Sequence, residues 1–347
     1  MNKRMLLAEF CDRTGATELL FAFNRRTKAR QLSVLTFHRV ADIGPGYPFD
    51  DGVVDTSPSE FDRQLAIIRK HLNPVTLGEV RAFVETGAPL PTNPVLVTFD
   101  DGYLDNYTVA LPLLRRHGIP ATFFIASDYL TRRRMFWWDR IAYTIKASRR
   151  STLSLMTPKP LELDIATPDA KAKSLRRVLR LVKTTYGLDL ERFLDEVACA
   201  AAIPWSDEIE RRLANELLMT WDHVRVLAAE GMEIQSHTRT HRVLQTLRPE
   251  ELVEELDGSR ADLERELGRP IYAVSYPAGH GIDGRPDGIR SALARAGYQL
   301  GFTNAAGAQS LRGAIDRYNV KRIALDAHTP EPLFRAMLAM PAVFDRA

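Results

Sequence analysis

Short apolar runs ending in polar or glycine-containing turns alternate with segments of helical spacing through most of the chain. The clearest run is Val-Leu-Val-Thr-Phe at 95–99, which leads straight into Asp100, Asp101 and Gly102. Such a run, bounded by a turn signal, predicts a buried strand of a parallel sheet. Further strands are predicted at 32–37, 121–126, 232–235, 271–275, 299–303 and 320–325. Helices are predicted at 5–24, 106–117, 221–229, 249–267 and 286–296, and another starts at Ser57. There Ser57, Pro58 and Glu60 read as N-cap, N1 and N3 of a capping box, and Phe61, Leu65, Ile68 and Leu72 trace one face. Strand, helix and strand at this spacing make right-handed parallel units, and about seven strands in that alternation predict an α/β barrel.

Residues 128–220 break the rhythm. They read as a mostly helical insertion packed on the core, with a lid as the alternative role, and with a polar hairpin or loop near 150–168. The flanking core covers about 31–127 and 216–325, so the whole of 1–347 reads as one domain. The cluster Arg132-Arg133-Arg134-Met135-Phe136-Trp137-Trp138 predicts aromatic core beneath a basic rim, in preference to a sugar-stacking or membrane-touching surface. The loop at 41–56 contains Phe49-Asp50-Asp51-Gly52, an echo of 99–102, but no apolar strand precedes it. It predicts a loop near the site, not a second site.

Composition narrows the classes. At 45% hydrophobic and 26% charged residues, the 347-residue chain is ordinary for a globular protein. A net charge of +3 without a nucleic-acid-binding motif gives no case for a nucleic-acid partner. Cys11 and Cys199 form no metal-spaced pair. Glu9, Asp12 and Arg13 interrupt the N-terminal apolar run before a signal sequence could form, and no stretch has the ~18–20 apolar residues that span a bilayer. The expected location is the cytoplasm, or the periphery of an inner membrane.

Candidate chemistry gathers at strand ends, where α/β barrels keep their active sites. Asp100 and Asp101 are adjacent like charges, and a metal cation would compensate them most simply. His237 and His241 follow the strand at 232–235, and histidines four apart can share an ion on one helical turn. Two imidazoles and a carboxylate are a hydrolytic metal set that leaves positions open for water. His38 ends the strand at 32–37.

These stretches resemble the polysaccharide deacetylase family (carbohydrate esterase family 4, the nodulation-deacetylase homology domain). Thr98-Phe99-Asp100-Asp101-Gly102 is similar to its first motif, His237-Thr238-Arg239-Thr240-His241 to its second and Tyr276-Pro277-Ala278-Gly279 to its third, in the same order. The resemblance implies a deformed (β/α)7 barrel and a divalent metal, zinc first and cobalt or nickel as alternatives. It implies Asp101, His237 and His241 as ligands, Asp100 as general base and the backbone N–H of Tyr276 as an oxyanion donor. Two departures stand out: neither the arginine that many members carry before the third motif nor an Asp-Trp motif near the C-terminus is clear here. For the general acid, Leu35-Thr36-Phe37-His38 resembles a permuted arrangement of the family, and His328 in Leu325-Asp326-Ala327-His328 is the weaker alternative. The expected substrate is an N-acetylated glycan, as polysaccharide, oligosaccharide or lipid-linked sugar. Hydrolysis of other C–N bonds, such as cyclic amides, and a non-catalytic carbohydrate-binding relic are the competing readings. The sequence does not give the oligomeric state.

Overall fold

Seven parallel strands close into a ring in the computed structural model, which describes residues 3–27, 31–279, 282, 288–313 and 315–344. They are β1 (Gln31–Phe37), β2 (Pro94–Phe99), β3 (Ala121–Ile125), β4 (Glu233–Ser236), β5 (Ala273–Ser275), β6 (Leu300–Ala306) and β7 (Val320–Ala324). Each pairs with the next along the order β1-β2-β3-β4-β5-β6, and β7 joins β6 back to β1. The ring is deformed: β4 and β5 are short and meet in a single register pair, Val274 with Ser236. This is the (β/α)7 barrel expected from the sequence.

Strand alternation sorts the side chains into two layers. Leu32, Val34, Leu96, Phe124, Ala273, Leu300, Phe302 and Val320 form one cluster, drawn from six of the seven strands, which fills the barrel. Leu35, Phe37, Val95, Val97, Phe99, Phe123 and Ile125 face the surrounding helices in a second, larger core. Being buried on both sides explains why these strands read as continuous apolar runs.

Residues 128–220 contribute the helices Trp137–Ala147, Pro168–Thr184, Leu190–Ala200 and Asp207–Leu217 and an antiparallel hairpin, Thr152–Leu155 with Leu161–Asp164. Their apolar faces are not a separate layer. Phe136, Trp137, Trp138, Ile141 and Ile145 belong to the same core as Phe99 and Phe123. Met135 through Trp138 are all buried, and Arg134 at the rim pairs with Glu191 and Glu210, so the cluster is aromatic core under a basic edge.

Several local expectations need correction. The helix predicted at 5–24 is two helices, Lys3–Arg13 and Ala16–Arg25, broken at Gly15, whose φ of 75° suits glycine. The capping box at Ser57 is half formed: Ser57 Oγ accepts from the Glu60 N–H, but the Glu60 carboxylate turns to Arg63. A complete box stands at Thr76 and Glu79, heading a helix, Leu77–Thr86, that the sequence reading missed. The helix predicted at 286–296 is Ile289–Arg295, with residues 286 and 287 outside the described residues.

Candidate metal centre and active site

The inward parity of β1, β2, β5 and β7 carries four polar side chains to the mouth of the barrel. His38 continues Leu32, Val34 and Thr36; Asp100 continues Leu96 and Thr98; Ser275 follows Ala273; and Arg322 follows Val320. A hydrogen bond of 2.8 Å from the Asp100 N–H to the Phe37 carbonyl ties the ends of β1 and β2 together. Asp100 and Asp101 are each 1% exposed, as is His237, and His241 is 9% exposed.

The two carboxylates have different surroundings. Asp100 accepts from Arg322 Nη1 at 2.9 Å, from Arg322 Nη2 at 2.8 Å and from Ser275 Oγ at 3.0 Å. Burial opposes its ionisation, but the Arg322 guanidinium, with His237, holds its carboxyl well below the usual carboxylate range. Asp101 has turned the other way, with φ at 77°. Its Oδ1 is buried without a hydrogen-bond partner, 3.3 Å from His237 Nε2 and 3.3 Å from His241 Nε2. These three residues can bring ligand atoms within 4.8 Å of one another. A buried acceptor left unpaired costs free energy unless something meets it, and a cation facing two imidazole nitrogens would do so.

The histidines reach this point by a route other than the one predicted. Residues 237–241 form a loop, not a helical turn, and positive φ at Thr238 (62°) and His241 (54°) bends it. Spacing of four therefore does not place the rings on one helical face. The buried Glu255 carboxylate fastens the loop by accepting from the N–H groups of Arg239 and Thr240 and from the Thr240 hydroxyl. His237 Nδ1 donates to the Ser275 carbonyl at 2.8 Å, which leaves Nε2 free as a ligand. Burial, with His237 beside it, lowers the His241 pKa to about 3, so that ring is neutral and able to ligate. Trp138 lies against the His241 ring at 4.3 Å, and Trp137 donates to the His241 carbonyl, so the insertion walls the metal set.

His38 sits beside this set and is held from two sides. Its N–H donates to Asp55, its Nδ1 is 3.2 Å from Asp55 Oδ2, and Asn106 donates to its carbonyl at 2.8 Å. Burial alone would lower its pKa, but the charge and hydrogen bond of Asp55, with Asp101 and Asp100 beyond, raise it to about 9. His328 is exposed, and its N–H donates to Asp326. It lines a cleft of about 790 Å³ together with Asp55 and Asp326. Tyr276 does not keep the free N–H expected of an oxyanion donor: it donates to the Phe302 carbonyl at 3.0 Å as part of the barrel ladder, and the phenol donates to the Tyr318 carbonyl.

Sequence reasoning missed Arg322, Asp55, Ser275 and Glu255. Arg322 left one signal, a charged residue within a predicted strand; Asp55 lies in a short strand, Val54–Thr56, inside a stretch that reads as loop and left none. Arg322→Ala should lower folding stability by about 3–5 kcal/mol, because it leaves the Asp100 charge buried and unpaired. Chemical denaturation would measure this, and the double variant Asp100→Asn, Arg322→Met should lose less than Arg322→Ala alone.

Comparisons with known proteins bear on the family and the fold. The polysaccharide deacetylase family's sequence profile matches residues 87–165 and 197–301, just over half of the chain. The poly-beta-1,6-N-acetyl-D-glucosamine N-deacetylase of Escherichia coli is 32% identical over 88 residues, covering 25% of this chain and 12% of that protein. YxkH of Bacillus subtilis, whose name assigns it provisionally to the same family, is 21% identical over 62% of this chain and 46% of its own length. The chain thus spans less than half the length of these relatives. The solved deacetylase PplD of Streptococcus pyogenes, in complex with acetate, superposes with a TM-score of 0.58 over 91% of this chain and all of that one, at 18% identity. IcaB of Ammonifex degensii gives 0.55 over 90% and 98%, at 20% identity.

Proposed function

This chain belongs to the polysaccharide deacetylase family, and on that premise we propose that it hydrolyses N-acetyl groups of amino sugars in a polysaccharide, oligosaccharide or lipid-linked glycan. The observation that carries the proposal is the buried, unpartnered Asp101 Oδ1 facing the Nε2 atoms of His237 and His241. The donor set suits a divalent cation, zinc first and cobalt or nickel next. A cation held there would polarise the acetamide carbonyl and make a water molecule more acidic.

The chain's own residues supply the proton transfers. Asp100, kept ionised by Arg322, accepts the proton of the attacking water. His38, kept protonated by Asp55, donates to the amine as the C–N bond breaks. The Asp55–His38 pair orients and charges the acid in one arrangement. No nucleic-acid partner enters this reading.

Acetate release from a panel of N-acetylated oligosaccharides, polymers and lipid-linked sugars, with and without zinc, cobalt or nickel, tests the function. No acetate from any of them at a loaded metal site would sink it, and ammonia or ring-opened product from cyclic amides would favour the other C–N hydrolases. His38→Ala should keep its metal and lose about 100-fold in turnover, within the range for a lost general acid. Asp55→Asn should act through pH: without the carboxylate the imidazolium is less stable, so the basic limb of the activity profile moves to lower pH. The same substitutions at His328 should be milder; loss of turnover in His328→Ala alone would move the acid role there.

A further inference from the structure

The helices Lys3–Arg13 and Ala16–Arg25 contribute nothing to the metal centre. They pack on the helix Glu331–Ala339, with Ala8, Cys11, Thr17 and Phe21 buried and Phe21 stacked on His71. Their outward faces carry Leu6, Leu7, Phe10, Leu19 and Phe23, exposed by 43, 40, 64, 72 and 60%. Eleven large hydrophobic side chains are exposed among the described residues, and five of them lie on this one helical pair. The spacing makes them a face: Lys3, Leu6, Leu7, Phe10 and Arg13 recur at helical intervals, as do Leu19, Phe23 and Arg26.

Charge is sorted between the two sides of the pair. Asp12 and Glu18 are neutralised by Arg335, at 2.8 and 2.5 Å, and both, like Glu9, are half-buried. Apart from Thr14, every residue of the pair in the exposed class is apolar or cationic. Residues 1–30 hold seven Lys or Arg against three Asp or Glu, whereas the whole chain nets only +3, so the rest of the protein is near neutral. A second copy of the chain docked on this face would meet the same cations and be repelled. A negatively charged surface with an apolar layer beneath it fits both features.

We propose that this N-terminal helical pair docks the protein onto an anionic lipid bilayer, with Phe10, Leu19 and Phe23 entering the interface and Lys3, Arg13 and Arg26 at headgroup level. The inference does not rest on the deacetylase reading, since none of these residues touches the site. It places an enzyme without a membrane-spanning helix among its described residues at a lipid surface all the same.

The test is flotation of the full chain with vesicles of equal parts phosphatidylglycerol and phosphatidylcholine, against vesicles of phosphatidylcholine alone. The protein should float with the anionic vesicles, and each cation near the surface should add about a fivefold factor that raised salt removes. The variant Phe10→Ser, Leu19→Ser, Phe23→Ser should lower partitioning at least tenfold, since one fully buried apolar side chain is worth about that factor by itself. All three side chains are largely exposed, so the thermal unfolding midpoint should stay unchanged. A second variant, Lys3→Glu, Arg13→Glu, Arg26→Glu, should lose anionic-vesicle binding if the first proves unstable. Equal binding to both vesicle types, or full binding by either variant, overturns the proposal. So does a wild-type dimer in light scattering that ignores vesicles and that the serine variant turns into a monomer, which would identify a second copy as the occupant.

Discussion

His237→Ala or His241→Ala should cost the protein both its metal and its acetate-releasing activity. Each substitution removes one of the three ligands that the described residues gather at the site. Loss of an outer partner that merely orients a ligand costs ~10–100-fold in metal affinity or activity, so loss of a ligand should exceed that range. The folded state should survive in the His241 variant, where Trp138 can settle into the space, and circular dichroism would verify it. Elemental analysis after incubation with zinc and desalting gives the metal content directly. Chelator-treated wild type should match the variants and recover when metal is returned, whereas the variants should not. Full activity in either variant would remove the metal assignment.

The parts of this protein legible in its sequence are those written in local pattern. Strand β2 could be read because burial on both faces demands an unbroken apolar run, and Asp100 and Asp101 followed from where that run ends. Helix Pro249–Leu267 was read to the residue because its apolar positions recur at helical spacing and Gly268 closes it. Long-range partners were illegible. Arg322 stands 222 positions from the carboxylate it pairs with, and only closure of the ring by β7 against β1 brings the two together. Asp55 finds His38 from the short strand Val54–Thr56, in a stretch whose sequence shows turn-formers and little else. The histidine pair was found for an incomplete reason: spacing of four suggested a helix, while the protein uses a loop with left-handed residues fastened by Glu255. Such backbone conformations are unfavourable for non-glycine residues, and their concentration at Asp101, Thr238, His241 and Ala278 marks the site. The Tyr276 N–H, expected as an oxyanion donor, is engaged with Phe302 because a strand end in a parallel barrel still owes its ladder bond.

The division of labour between the adjacent carboxylates gives the other large expected effect. Asp100→Asn should retain metal and lose nearly all turnover, while Asp101→Asn should lose metal affinity first. An amide is close to isosteric with a carboxylate, yet its nitrogen cannot accept a proton from water and its oxygen carries no charge. At Asp100 the amide would keep one acceptor toward Arg322 or Ser275, so the site should stay assembled without its base. Loss of a general base costs ~10²–10⁴-fold in rate, and an activity drop in that range with stoichiometric metal is the expected result. At Asp101, whose Oδ1 is buried and unpaired, the same change replaces one oxygen by an amide nitrogen and removes the charge that balances a dication. The two oxygens of Asp100 are already committed to Arg322 and Ser275, which is the structural reason to give Asp100 the proton and Asp101 the metal. Metal content and turnover measured on both variants decide the matter. If Asp100→Asn lost metal while Asp101→Asn kept it, Arg322 would have to release Asp100 on metal binding, and the two roles would be exchanged.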